Sequence, residues 1–308
     1  MPNPPLLREN RRFPWLLPVD RVHVGFYAFV LVAALLEWPT LDRPWRPFAW
    51  YGGALVATFL VARALAGRTG FRASLPRVGF TLVVAPFSFL MLSTVVPAHS
   101  FHGERLLHDI DTAMFLGVNP NVLLDRLAWP PLTELLQLVY AVYYLIPLVM
   151  IAAFVAENRP GAMSRALVTL LLCLYLSYVG YFLVPATGPN INRLGLYPAH
   201  FTDPMPGLWL AEKLRASTLA AEWMKHDCWP SGHTALAFTC LVTARREKSR
   251  AFWILLAPVT LLIFSTMYLR YHYVTDVIFG FGLAFLALWL GPRIHARFYD
   301  LGSPEFQA

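Results

Sequence analysis

The sequence predicts an all-α, polytopic bundle of about eight membrane-crossing helices. Three observations predict it. Of the 308 residues, 57% are hydrophobic and 14% charged, against about 25% charged in ordinary soluble domains. The apolar residues run in long blocks, as bilayer spans do. Basic residues gather between alternate blocks, as membrane topology requires.

The elements follow in order. Residues 1–20 form a polar arm rich in Pro and Arg, without the apolar core or small-residue cleavage site of a signal peptide. Blocks at 22–36 and 48–66 are two helices within an accessory segment, 21–77, joined by a tight stretch with Pro39, Pro44 and Pro47. They carry no clustered polar residues and read as an addition to a six-helix catalytic core, 78–300. The core blocks are 78–96, 133–156, 164–184, 231–246, 250–268 and 272–292, followed by a tail, 301–308. The block at 231–246 has about 14 apolar residues before Arg245-Arg246, or roughly 21 Å of a core about 30 Å thick, which places its start below the membrane surface.

The charges set an orientation. A cytoplasmic N-terminus puts Arg8, Arg11, Arg12 and Arg21, the Arg63–Arg77 set, Arg159 and Arg165, the Arg245–Arg250 run, Arg293 and Arg297 on one side. Both termini are then cytoplasmic. The longer loops, 97–132 and 185–230, face outward, which is read as the periplasmic side of a bacterial inner membrane, the lumen if the cell is eukaryotic. Around 206–224 the second loop reads as an amphipathic interfacial helix. The net charge of +7 reflects this topology and gives no reason to invoke nucleic acid. Cys173 and Cys240 lie in apolar blocks, so Cys228 is alone on the outer side and no disulfide framework can be argued.

Two outer-side stretches carry chemistry: Cys228-Trp229-Pro230-Ser231-Gly232-His233 and Arg270-Tyr271-His272-Tyr273-Val274-Thr275-Asp276. Ionisable groups at the end of a span are costly and mark a functional site. Both histidines fall near helix N-termini, where unpaired N–H groups and the helix dipole favour an anion. Ser231 is a candidate N-cap, and Gly232 admits close approach to the backbone. His272 and Asp276, four apart, share one helix face. A carboxylate on one ring nitrogen fixes the tautomer and raises the basicity of the other, which makes His272 a nucleophile and Asp276 its orienter. His233 is then the general acid, and later the base. Arg270, Arg193 and Lys225 are the cations available for phosphoryl oxygens.

Pro230-Ser231-Gly232-His233 followed by His272-x3-Asp276 resembles the type 2 phosphatidic acid phosphatase superfamily. Its usual first block, Lys-x6-Arg-Pro, is absent, with Pro185-Ala186-Thr187-Gly188-Pro189 in its place. The third reads Ser265-Thr266-x5-His272-x3-Asp276, with threonine where arginine is usual. These departures, the Met267–Tyr273 stretch and the loop from Asp111 to Pro120 are similar to the inositol phosphorylceramide synthase-like, inositolphosphotransferase branch, over roughly residues 105–290. The resemblance implies a phosphohistidine-type intermediate and no required metal or cofactor. It also implies a phospholipid or lipid phosphate substrate, with a lipid alcohol or water as acceptor. A plain lipid phosphate phosphatase and a non-catalytic lipid transporter or scramblase are the alternatives.

Plainer readings apply elsewhere. His99, His102 and His108 with Asp109 and Asp111 match no metal-ligand spacing and read as an interfacial loop. Asp109 and Asp111 are instead candidates for binding a polar head group. The tyrosines Tyr140 to Tyr144 and Tyr175 to Tyr181 read as packing or interface anchors.

Overall fold

The computed structural model describes residues 15–68, 71–96, 103–221 and 226–298. Among the described residues there are twelve α-helices and no strands. They are α1 (Pro18–Leu36), α2 (Trp45–Ala64), α3 (Phe71–Leu92), α4 (Gly103–Met114), α5 (Pro120–Asp125), α6 (Pro130–Ala141), α7 (Leu145–Ala156), α8 (Pro160–Leu183), α9 (Ala211–Ala221), α10 (Gly232–Arg246), α11 (Ala251–Tyr268) and α12 (Val274–Phe298).

Five of these are long and apolar enough to cross a membrane: α1, α3 from Ser74, α8, α11 and α12. The chain is an integral membrane protein. α6 and α7 make a sixth span if the pair, bent by 58°, is counted as one. The bend has a local cause. The ring of Pro147 conflicts with the carbonyl four residues back, at Tyr143, and the helix breaks there. The other two expected spans are helical but weaker. α2 opens with Trp45-Arg46-Pro47 and carries Gly52-Gly53, and α10 has only 15 residues.

α8 is the hub. It packs against α1, α3, α7, α10 and α12, and most of its length is buried. Small residues let its neighbours close in. At Gly291 of α12, a Cβ would meet Thr169 Oγ1 of α8 at 2.4 Å. Large apolar side chains such as Val32, Leu60, Val83, Trp253 and Phe285 remain exposed. They are outward-facing residues of helices that carry hydrophobic side chains all round, as bilayer-facing helices do.

The N-terminal helices depart from expectation. α1 carries a buried polar cluster that reaches into the rest of the bundle. His23 Nδ1 lies 2.7 Å from Tyr175 Oη on α8, its Nε2 lies 3.2 Å from Thr81 Oγ1 on α3, and Tyr27 Oη lies 3.1 Å from both His23 Nδ1 and Tyr175 Oη. Asp20 accepts from Arg77 Nε at 3.1 Å, both buried. α1 is therefore tied to α3 and α8 by hydrogen bonds between residues far apart in sequence. The arm before residue 15, the tail, His99, His102 and Lys225 lie outside the described residues.

Candidate active site

The two histidine stretches are set by two helix N-termini. At α10, Ser231 is the N-cap, as its type and position predict, and its hydroxyl accepts from Thr234 N at 3.3 Å. At α12, Tyr273 precedes the helix and Asp276 lies in its first turn. Asp276 Oδ2 reaches back to accept Tyr273 N–H at 2.9 Å, the reciprocal contact of a capping box. The two termini are joined by Ser231 N donating to Asp276 O at 3.1 Å.

The segment before α12 is held from three directions. α11 ends with Arg270 in the left-handed region (φ 64°), and the N–H groups of Tyr271 and His272 both return to Thr266 O at 3.0 and 2.9 Å. Asn121 on α5 donates from Nδ2 to Met267 O and His272 O at 3.2 and 3.0 Å. From the third side Gly188 presses on the chain: a Cβ there would meet Tyr271 O at 2.4 Å. Only glycine permits that approach.

His272 and His233, far apart in sequence, thus come together. His272 Nε2 lies 3.5 Å from His233 Nδ1, with ring centroids 5.6 Å apart. His272 Nδ1 lies 3.0 Å from the Cys228 carbonyl oxygen and 3.4 Å from Asp276 Oδ2. A carbonyl only accepts, so the proton belongs on Nδ1 and the lone pair of Nε2 faces His233. His272 is just outside α12, so its contact with Asp276 spans the entry to the helix and not a regular helix face. Tyr140 stacks on His233 at 4.7 Å between centroids, and Tyr143 lies at 4.3 Å. The α6–α7 break brings these two tyrosines to the site. Sequence periodicity had made them packing anchors.

The remaining expected site residues are placed as follows. The Ser231 N–H is taken by the Asp276 carbonyl, which leaves Gly232 and His233 in the first turn of α10, where N–H groups have no intrahelical acceptor. Arg270 points away from His272. Its guanidinium donates to Asp125 and, at 2.9 Å, to His200 O, and it lies over the Phe201 ring at 4.4 Å. The expectation that it binds phosphate is not the arrangement seen, because the αL turn and Asp125 direct the side chain away from the histidine pair. Arg193 is exposed, and its charge reaches His226, whose pKa is lowered by burial first and by Arg193 second. Asp111 spends both oxygens on α12, accepting from Val274 N at 2.7 Å and Thr275 N at 2.8 Å, so it caps a helix where a head-group contact was expected. Burial raises its pKa despite these bonds. Asp109 is exposed, 3.2 Å from His108 Nδ1.

Sequence reasoning missed Cys228, Asn121, Asp125 and Glu134. Glu134 accepts from the N–H groups of Leu208, Trp209, Leu210 and Ala211 and so anchors the approach to α9. Cys228 had a signal, since it opens the Pro-Ser-Gly-His stretch. The others had none, because their partners are distant in sequence. Among the described residues, Cys228 Sγ, His272 and Asp276 offer three ligand-type atoms within 4.8 Å of one another. Hydrogen bonding within the group accounts for their proximity.

An apolar cleft of about 210 Å3 leads away from His233. α3 supplies Leu82, Pro86 and Phe89, α7 supplies Leu148 and Ile151, and α8 supplies its floor, while Gly232, His233 and Asp227 close the polar end.

A family model described as the PAP2 superfamily matches residues 105–290, from α4 through most of α12. The chain belongs to the PAP2 superfamily. No curated protein and no solved structure matches it. PAP2 superfamily membership makes this an enzyme of lipid phosphates in the general sense, a phosphatase or phosphotransferase. The match contains both histidine stretches and the aspartate, and it begins after α3.

Proposed function

We propose that this PAP2 superfamily protein cleaves a phosphate ester of a lipid through a phosphohistidine-type intermediate and transfers the phosphorylated head group to a lipid hydroxyl. The observation that carries the reading is the junction of the His272–His233 pair with an apolar cleft. A phosphoryl group taken up at the histidine pair would leave its lipid chain in the cleft along α8.

His272 Nε2 attacks phosphorus while its Nδ1–H is held by the Cys228 carbonyl and Asp276. The bond from phosphorus to the leaving alkoxide breaks, and His233 gives that oxygen its proton. The first-turn N–H groups of α10 face the phosphoryl oxygens, with the helix dipole behind them. Arg193 and Lys225 are the candidate cations, Ser231 contributes as the cap of that turn, and Arg270 acts by holding the loop. An acceptor hydroxyl then loses its proton to His233 and attacks phosphorus, and the bond to Nε2 breaks. The proposed nucleophile, its orienting carboxylate and the acid–base group all belong to the chain, and the proposed reaction uses no metal or cofactor. The orientation proposed is that of the basic residues: termini cytoplasmic, site outward.

Purified protein would be given phosphorus-labelled lipid phosphates and inositol-type phosphodiesters, with and without ceramide or diacylglycerol, beside His272→Asn and with a chelator present. Label on the acceptor is expected. Free phosphate alone makes the enzyme a plain lipid phosphate phosphatase. No product above the His272→Asn control, with lipid translocation in vesicles unaffected by that substitution, would favour the transporter or scramblase reading.

A further inference from the structure

Cys228 touches both members of the His272–Asp276 pair. The residue is buried, and its backbone is fixed by Cys228 N donating to Ala186 O at 3.1 Å beside the bridge between Ala186 and Asp227. Its thiol donates to Asp276 Oδ2 at 2.8 Å, and Sγ lies 3.6 Å from His272 Nδ1. Its carbonyl oxygen is closer to Nδ1 than the aspartate oxygen is, at 3.0 Å against 3.4 Å.

We infer that Cys228 is a positioning residue for the phosphotransfer step: its carbonyl selects the His272 tautomer, and its thiol shares the aspartate oxygen that faces the imidazole. The inference rests on the catalytic reading of His272 above.

One oxygen of Asp276 couples the thiol to the imidazole. Asp276 Oδ1 is buried with no hydrogen-bond partner, so Oδ2 carries the interactions of the carboxylate. Three donors meet it: Tyr273 N–H, the Cys228 thiol and His272 Nδ1–H. An unshared carboxylate would draw Nδ1–H toward itself and away from the Cys228 carbonyl, turning the ring. With the thiol in place, the ring lies against the carbonyl and Nε2 faces His233. Burial, and then the Asp276 charge, push the thiol pKa well above its ordinary value, so it remains a donor and not a competing nucleophile. The loop position of Cys228 keeps thiol and carbonyl on the same partner pair, which no residue inside α12 can do.

The test uses full-length protein in lipid nanodiscs, a lipid phosphate as probe, and Cys228→Ala and Cys228→Ser. Loss of a hydrogen bond to a charged group predicts a fall in kcat of about tenfold or more for Cys228→Ala, with KM within about twofold because the thiol does not touch the lipid. Cys228→Ser restores the donor and most of kcat. In an Asp276→Asn background, Cys228→Ala costs little further, as coupled residues require. Equal losses for alanine and serine, or an undiminished loss in the Asp276→Asn background, would overturn the proposal. An infrared measurement reads the bond without turnover. The difference spectrum between wild type and Cys228→Ser isolates one S–H stretch, expected at lower frequency than those of Cys173 and Cys240. A Cys228 band coincident with theirs overturns the thiol contact. If the wild type turns over no lipid phosphate while the shifted band is present, the catalytic reading fails and the thiol–aspartate bond stands.

Discussion

Arg270 and Asp125 form an ion pair that turns the guanidinium away from the adjacent histidine site. Arg270 is almost fully buried, and Asp125 also accepts from His200 Nε2 at 2.7 Å. Arg270→Ala should therefore lower turnover by detaching the 267–272 loop from α5, and Asp125→Ala should reproduce most of that loss. The double variant is expected to be little worse than either single one. Additive losses measured in a lipid phosphate assay would show that Arg270 acts on phosphate directly.

The same carboxylate gives a pH dependence. Burial pushes the Asp125 pKa up, but hydrogen bonds from His200 and Arg270 and their charges outweigh it, and the net value is below the ordinary 3.8. A depressed folded pKa favours the ionised form. The contribution to stability is present above pH 3.8 and is lost as pH falls through the depressed folded value. Thermal unfolding of the wild type should show this acid-side loss, and Asp125→Asn should flatten it.

His233 and His272 should be indispensable in different ways. His272→Asn removes the proposed nucleophile and is expected to abolish labelled intermediate and product together. His233→Ala removes the proposed acid and should lower turnover by about 10²–10⁴-fold for a lipid alkoxide leaving group. A better leaving group, such as a nitrophenolate, should recover part of the His233→Ala loss and none of the His272→Asn loss. Equal recovery would exchange or erase the two roles.

Gly188→Ala should be costly without altering any reacting group. The new Cβ would lie 2.4 Å from Tyr271 O and 2.6 Å from Asn190 Oδ1, and backbone cannot move aside cheaply. We expect lower turnover with a reduced unfolding temperature. Wild-type values for both would mean that the 185–190 segment does not shape the histidine loop.

Breaking the buried Asp20–Arg77 contact tests the coupling of α1 to α3. Removing one partner of a buried ion pair typically costs about 3–5 kcal/mol. Arg77→Met should destabilise strongly, and Asp20→Leu with Arg77→Met should recover part of the loss. A neutral single variant, read by thermal unfolding in detergent, would show that the Asp20–Arg77 pair does not hold α1 to α3.

All eight apolar blocks are helical, and the short block ending at Arg245-Arg246 is α10 at 15 residues. These features were legible because block length and composition are local properties. Ser231 as N-cap was legible for the same reason, since capping depends on residue type next to a helix start. The histidine pair was legible as a candidate because both stretches fall at the ends of apolar blocks. Asp111 was misread because its partners, Val274 and Thr275, lie across the bundle. The polar ties of α1 were invisible for the same reason: His23 looks solitary until Tyr175 and Thr81 are packed around it.

The sequence by itself determined the class of molecule, the approximate positions of its helices, and the residue types for phosphoryl transfer, because hydropathy and motif spacing are written along the chain. Only the tertiary structure decided which nitrogen of His272 faces His233, that Arg270 turns from the histidines to Asp125, and that the Cys228 thiol and carbonyl meet both the histidine and the aspartate. Those outcomes depend on directions of side chains a few ångströms apart in space and tens of residues apart in sequence. Such directions are fixed by helix packing around α8 and by one left-handed turn at Arg270.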